Sequence, residues 1–236
     1  MNSSILASID PPANVLLVHR SDEPAPACTT LCQSCASVAE LRVCFGDRHD
    51  HATSGPSASD GPDKLGLISV GDVLRAGQTT TGPDYTAPFV VDAIDDPTDL
   101  TQLGVTISEF CEAWGAMHTI RVCFHSLDDL LAHTAPEDAF HFVYVLMRRL
   151  SSVDAIAHFH LDPSSHDDRI VSTFGAVFDE VVVDDDGIDV DVPEATDDDV
   201  ADIISTLDTA SAEWSFEAHS IEEQATDEDV ANVLEK

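Results

Sequence analysis

Residues 119–124 read TIRVCF, a short run that is too apolar to alternate as a half-exposed strand does. Residues 99–116 precede it with apolar side chains at helical spacing. Residues 136–152 follow it with a second helical pattern, which opens with proline and two acidic residues. The next apolar run, AIAHFHL, occupies residues 155–161. This succession of strand, helix and strand predicts parallel strands that are buried on both faces.

Four further apolar runs extend the pattern over most of the chain: NVLLV at 14–18, LRVCF at 41–45, LGLISV at 65–70 and EVVVD at 180–184. The predicted fold is α/β, with a doubly wound, mainly parallel sheet. The predicted divisions are an N-terminal extension at residues 1–13, the α/β domain at 14–186 and an acidic helical tail at 187–236. Within the tail, ATDDDVADII recurs as ATDEDVANVL, and each copy has a threonine N-cap followed by acidic residues.

The charge is strongly acidic along the whole chain. There are 45 acidic and 10 basic residues, which give a formal net charge of −35. This charge opposes binding to nucleic acid phosphate and to anionic membranes, so we expect neither as a partner. An acidic excess that is spread over the whole length, and not confined to one tail, is typical of a protein from a cytoplasm at molar salt.

The N-terminus also favours a cytoplasmic location. It lacks the basic segment and the continuous apolar segment of a secretory signal, and no stretch has the roughly 18 apolar residues that span a bilayer. The six cysteines are accordingly expected to be reduced thiols.

Three of these cysteines lie in the segment CTTLCQSC, residues 28–35. Their Cys-x-x-x-Cys-x-x-Cys spacing is that of the loop that holds a four-iron cluster in radical enzymes. The same spacing also puts Cys28, Cys32 and Cys35 on one face of a helix, where each would pack on the sheet as a small apolar side chain. We favour the packed helix. The alternative is a zinc or iron site formed by Cys28, Cys32, Cys35 and Cys44.

Two histidine pairs offer further candidate ligands. His49 and His51 follow Cys44 in a polar stretch, where solvated side chains are the simpler interpretation. His158 and His160 point to the same face of a predicted buried strand. A metal pair is conceivable there, but we favour two hydrogen-bonded histidines at the carboxyl end of the strand.

The segment TIRVCFHSLDDLL, residues 119–131, resembles the Walker B strand of RecA- and KaiC-like ATPases. Further blocks, among them LGLISVGD and FHFVYVLMRRL, make the chain similar to a family of uncharacterised proteins from halophilic archaea that is related to that superfamily. The resemblance covers residues 14–186 and implies a three-layer, RecA/KaiC-like core.

The motifs for phosphate chemistry are degenerate in this chain. The Walker A motif requires glycines and a lysine after the first strand, but neither occurs between Val18 and Cys44. His125 stands where the Walker B aspartate would help to hold Mg²⁺. We therefore predict no cofactor and no catalytic residue. A vestigial pocket would lie at the strand ends, lined by His19, Arg20, His125 and His160.

A catalytic triad of His125, Ser126 and Asp128 is a further alternative. Because these residues are neighbours at a strand end, we favour a helix cap by Ser126. The sequence thus predicts a non-catalytic regulatory protein that binds a protein partner. The alternative is a metal- or iron–sulfur-dependent enzyme that uses Cys28, Cys32 and Cys35. The sequence leaves open whether the protein also forms a homo-oligomer.

The charge of −35 predicts a steep dependence of stability on salt. We expect the melting temperature to rise from dilute buffer to molar KCl, because the screening length falls from about 10 Å at 0.1 M to about 3 Å at 1 M. Circular dichroism melts over that range measure the effect. A melting temperature that does not change with KCl would contradict the adaptation to high salt.

Overall fold

The structure is a computed structural model that describes residues 9–20, 25–32, 37–46, 61–71 and 83–183. The predicted acidic tail, with both copies of its repeat, lies outside the described residues. So do Cys35, His49 and His51.

The described part of the chain forms a sheet of seven strands, all parallel to their neighbours. This architecture confirms the predicted α/β fold with a parallel sheet. The order of the strands across the sheet is β4-β3-β2-β5-β6-β1-β7. The bounds are Ala13–Val18 for β1, Val38–Phe45 for β2, Lys64–Val70 for β3, Phe89–Ile94 for β4, Thr119–Phe124 for β5, Ile156–Leu161 for β6 and Glu180–Val183 for β7.

Five α-helices connect the strands of the described residues. Their bounds are Pro26–Leu31 for α1, Leu100–Gly115 for α2, Leu127–His133 for α3, Pro136–Ser151 for α4 and Asp168–Gly175 for α5. Helices α2 and α4 coincide with the two helical patterns of the sequence to within one residue at each end. The Asp99 carboxylate accepts a hydrogen bond from the Gln102 N–H and so caps α2, while proline opens α4.

Side chains alternate between the two faces of the sheet. On one face, residues such as Leu16, Val122 and Phe159 form the main hydrophobic core with α2, α3, α4 and α5. On the other face, Val15 and Leu17 pack against α1. This second face also carries the polar side chains of β5 and β6.

Two predictions of secondary structure were wrong. The helix that was expected to carry Cys28, Cys32 and Cys35 on one face is shorter than predicted, because α1 ends at Leu31 and β2 begins at Val38. The strand β4, with the sequence FVVDAI, was not predicted. It lies at the edge of the sheet and leaves Phe89 and Val91 partly exposed, so it lacks the continuous burial that marks the other strands.

No helix within the described ranges is long and apolar enough to cross a membrane.

Gly66 allows helix α2 to pack closely on β3. A Cβ atom at this position would lie 2.8 Å from Phe110 Cε1, 2.8 Å from Trp114 Cη2 and 2.9 Å from Leu41 Cδ1. All three neighbouring side chains are fully buried, so they have no free space into which to move. The close approach of α2 to the sheet therefore depends on the absence of a side chain at Gly66.

We expect Gly66→Ala to lower the free energy of unfolding by about 1–3 kcal/mol, because the added methyl group overpacks the core. Denaturant unfolding at molar KCl measures the change. Gly115→Ala is a matched control, since its Cβ would lie 3.4 Å from Ile120 Cδ1, an ordinary contact. Equal effects of the two substitutions would contradict this account.

Candidate functional site

Four metal-ligating side chains meet on the face of the sheet that carries α1. They are Cys28 in α1, Cys32 just after it, Cys123 in β5 and His158 in β6. Cys28 and Cys32 are one helical turn apart, and the Cys32 N–H donates to the Cys28 carbonyl at 2.8 Å. Cys123 and His158 lie directly opposite each other in the register of β5 and β6. The turn from Cys28 to Cys32 thus packs on the neighbouring strand residues Cys123 and His158.

The ligand atoms of these four residues all lie within 4.8 Å of one another. Cys28 Sγ is 3.9 Å from Cys32 Sγ and 4.0 Å from Cys123 Sγ. Cys32 Sγ is 3.7 Å from His158 Nε2. Cys123 and His158 are buried, whereas Cys28 and Cys32 are partly exposed. All five cysteines that the structure describes are free thiols.

The electrostatics of this Cys₃His cluster favour thiolates beside a protonated imidazole. A hydrogen bond from the Cys123 thiol lowers the pKa of both Cys28 and Cys32, and a hydrogen bond from the Cys32 thiol lowers that of Cys28 further. Complete burial raises the pKa of Cys123. Burial by itself would lower the pKa of His158, but the adjacent Cys32 and Cys28 thiolates raise it to about 10. The cluster therefore concentrates negative charge on sulfur, which attracts a cation.

A second cluster, which we call the histidine trio, lies at the carboxyl ends of β1, β5 and β6. It consists of His19, His125 and His160. His19 Nε2 lies 2.7 Å from His160 Nδ1, and the His125 ring stacks on the His160 ring with a centroid distance of 5.6 Å. The structure thus brings together three of the four residues of the pocket suggested by the sequence. The fourth, Arg20, is exposed, and its carbonyl accepts a hydrogen bond from His19 Nδ1 at 2.8 Å.

Burial is the main influence on two members of the trio. Burial, together with the positive charge of His158, lowers the pKa of His125 to about 3. Burial also lowers the pKa of His160, and the neighbouring His158 lowers it further. Both rings are therefore neutral imidazoles at pH 7. The Cys₃His cluster and the trio adjoin, because His160 Nε2 lies 3.6 Å from Cys123 Sγ.

A model of DUF7504, a family of unknown function, matches residues 12–184 of the sequence, a segment that includes both clusters. The chain belongs to DUF7504. No curated protein and no solved structure matched it. The DUF7504 segment begins one residue before β1 and ends one residue after β7, so the family model spans the whole sheet.

The fourth suggested cysteine ligand, Cys44, is not part of the Cys₃His cluster of this DUF7504 chain. It lies in β2, is buried against Leu67, and burial raises its pKa to about 12. Cys44 is two strands away from His158 in the sheet, since β5 separates β2 from β6. The predicted ligands Cys28 and Cys32 do lie in the cluster, and Cys35 is outside the described residues.

The predicted helix cap by Ser126 is confirmed. Ser126 Oγ accepts the Asp129 N–H at 2.9 Å at the start of α3. Asp128 instead contacts His166, with 2.7 Å between Oδ1 and Nε2, and accepts the Asp162 N–H. Because His125 stacks on His160, the structure does not form a triad of His125, Ser126 and Asp128.

The sequence did not indicate Cys123 as a member of the cluster, whereas the prediction that His158 and His160 are hydrogen-bonded is confirmed. His158 and His160 do share a face, but His158 contacts Cys32 and His160 contacts His19. The sequence did place a cysteine in one predicted buried strand and a histidine in another. In each strand this residue alternates with the apolar residues that face the main core. Only the order of the strands shows that these two residues are neighbours.

The low pKa of His125 predicts a loss of stability at acid pH. Between pH 7 and pH 5 the unfolded chain takes up a proton at the ordinary value of 6.5, whereas the folded chain does so only near 3. The free energy of unfolding should therefore fall with pH, by about 2 kcal/mol at pH 5 from this residue. Denaturant unfolding of the native chain and His125→Gln at both pH values, in molar KCl, isolates the contribution. An identical pH dependence in the two proteins would contradict it.

Proposed function

We propose that this DUF7504 chain is a RecA/KaiC-like α/β domain without phosphoryl-transfer chemistry, which acts in regulation by binding a protein partner. The single observation that carries the proposal is the histidine trio at the carboxyl ends of β1, β5 and β6. In open α/β sheets, ligands bind outside this edge of the sheet. The chemistry of the residues there therefore bears directly on what the domain can bind.

The strand order is compatible with a RecA-like arrangement. The strand that resembles Walker B, β5, is separated from β1 by β6, so the ends of all three strands lie side by side. In a phosphate-binding domain, the end of β1 would supply backbone N–H groups and a lysine, and the end of β5 an aspartate. His19 and His125 occupy these two places.

The trio is poorly suited to Mg²⁺ and a nucleotide. Mg²⁺ prefers oxygen ligands, whereas His125 and His160 offer ring nitrogens. Both rings are neutral at pH 7, so they bring no positive charge to offset the charge of a triphosphate. Asp22 and Glu23 add negative charge to the segment that follows β1 in the sequence. These features support the proposal that the domain has a RecA/KaiC-like fold but does not catalyse phosphoryl transfer.

We therefore expect no Mg-ATP hydrolysis above background and no saturable Mg-ATP binding by the isolated chain at molar KCl. Single-turnover phosphate release and calorimetric titration provide the measurements. Turnover that disappears in His125→Ala, but not in Cys44→Ala, would overturn the proposal. His125→Asp restores the carboxylate of the resembled motif, and we expect it to remain inactive, because the phosphate-binding lysine is still missing.

Partner binding is proposed because a domain that has lost phosphoryl-transfer chemistry can still recognise another protein through its surface. At molar salt, charge attractions at an interface are screened, so such a partner must be held mainly by apolar contacts and hydrogen bonds. A pull-down from cells at native salt identifies the partner. A chain that remains a monomer, with no protein bound at stoichiometric level, would count against this part of the proposal.

The Cys₃His cluster favours a second candidate, a metal- or iron–sulfur-dependent enzyme. Cys28 and Cys32 lie in the cluster, as that candidate requires. A radical enzyme needs an iron with an open position for its substrate. The cluster instead offers four protein ligands around one point, which favours a closed site. Anaerobic purification tests the iron–sulfur form of this candidate, since an iron–sulfur protein is brown and a protein with packed cysteines is colourless.

A further inference from the structure

We propose that Cys28, Cys32, Cys123 and His158 bind one zinc ion, which fastens helix α1 to strands β5 and β6. This inference is independent of the proposed function, since it concerns a site on the face of the sheet and not the nucleotide edge. Three sulfurs and one imidazole nitrogen form a Cys₃His ligand set, one of the sets that structural zinc sites use. The ligands come from three segments that are far apart in the sequence.

Three of the six distances between the ligand atoms are close to those around one tetrahedral zinc ion, and all six are within 4.8 Å. Zn–S bonds of about 2.3 Å and a tetrahedral angle separate two ligating sulfurs by about 3.8 Å, and a Zn–N bond of about 2.0 Å gives about 3.5 Å between sulfur and nitrogen. The observed S···S distances of 3.9 and 4.0 Å and the S···N distance of 3.7 Å lie within 0.2 Å of those values. The side chains thus need only small movements to bind the ion.

Other occupants fit these distances less well. A disulfide requires sulfurs about 2.0 Å apart, and the Cys28–Cys32 and Cys28–Cys123 pairs are separated by nearly twice that distance. A four-iron cluster binds each thiolate on a different iron, so its ligating sulfurs lie farther apart than two bonds to a single ion allow. Mg²⁺ and Ca²⁺ bind oxygen and not thiolates. A single ion with affinity for sulfur and imidazole remains, and zinc is the common choice for this set.

The surroundings of the cluster supply the support that a zinc site needs. Three thiolates and a neutral imidazole around Zn²⁺ leave a net charge of −1. Arg42 lies opposite Cys123 in the register of β2 and β5, and its guanidinium is paired with the Glu40 carboxylate, with 2.6 Å between Nε and Oε1. His160 Nε2 lies 3.6 Å from Cys123 Sγ, within hydrogen-bonding distance of a ligating sulfur in the tautomer that carries its proton on Nε2. Such outer hydrogen bonds orient the ligands of a metal site.

Helix α1 has few other means of holding its position. It is six residues long, and its N-cap residue, Ala25, makes no side-chain hydrogen bond. Helices of this length are not stable by themselves. Its apolar contacts come from Ala27 and Leu31, and the Arg121 guanidinium donates to the Leu31 carbonyl. A zinc ion would add four strong bonds that join α1 to two central strands.

The site has consequences for the end of β1. Only residues 19–25 separate β1 from α1, and His19 begins that connection. With α1 fixed by zinc, both ends of the connection are held on the sheet. The ion therefore positions the segment that carries His19 and Arg20. Because all four positions are taken by protein side chains, the zinc has a structural role and no catalytic one.

The test is the metal content of the full chain, purified at molar KCl from zinc-supplemented cells without chelators. Elemental analysis should find one zinc per chain in the native protein and in Cys44→Ala, and less than about 0.1 in Cys123→Ser and His158→Gln. Cys44→Ala is the matched control, because Cys44 is also a buried cysteine on a central strand but lies outside the cluster. Removal of zinc by a strong chelator should lower the melting temperature of the native chain and of the control.

Cobalt(II) substitution provides a second measurement if Cys123→Ser or His158→Gln fails to fold. The native chain should show the sulfur-to-cobalt charge-transfer band of a tetrahedral thiolate site. In Cys28→Ser, at a partly exposed position, the band should lose about one third of its intensity, since two thiolates remain. Native protein without zinc and without this band would overturn the proposal. Stoichiometric iron, or zinc retained in both Cys28→Ser and Cys123→Ser, would do so as well.

Discussion

The period of two along β5 and β6 is the constraint on which the rest of the molecule depends. In β5, Ile120, Val122 and Phe124 face the main core, so Arg121 and Cys123 must face the opposite side. In β6 the same alternation turns His158 and His160 away from the large helices. A shift of either strand by one residue would bury the polar groups under α2 and α4. The apolar core therefore fixes the position of the cysteine and histidine side chains.

The sequence predicts the strands that are buried on both faces, because their apolar runs are continuous. It predicts α2 and α4 equally well, since both have long amphipathic patterns. The edge strand β4 lacks such a signal, and α1 is too short to have one. For the site, the sequence suggests Cys28 and Cys32 from their spacing alone. It does not show that Cys123 lies beside His158, because this contact depends on the order and register of strands that lie more than 30 residues apart in the chain.

The two clusters divide the polar interior into parts of different chemical character. The Cys₃His cluster gathers negative charge on sulfur, while the adjoining trio consists largely of neutral imidazoles. His160 contacts both Cys123 and His19, so this one side chain joins the cluster to the trio at the edge of the sheet. Buried polar groups joined in this way need every hydrogen bond to be made, which favours one unique arrangement of the interior.

The place of β1 in the sheet affects how the chain is made. This strand leaves the ribosome before the other six, yet its two neighbours are β6 and β7, which are the last to be synthesised. Ala13 pairs with Ile156, so the nascent chain must grow by more than 140 residues before β1 finds a partner. During that time the run VLLV has no sheet to enter and is open to association with other chains. The closing of the sheet around β1 is therefore a late event, which high contact order makes slow.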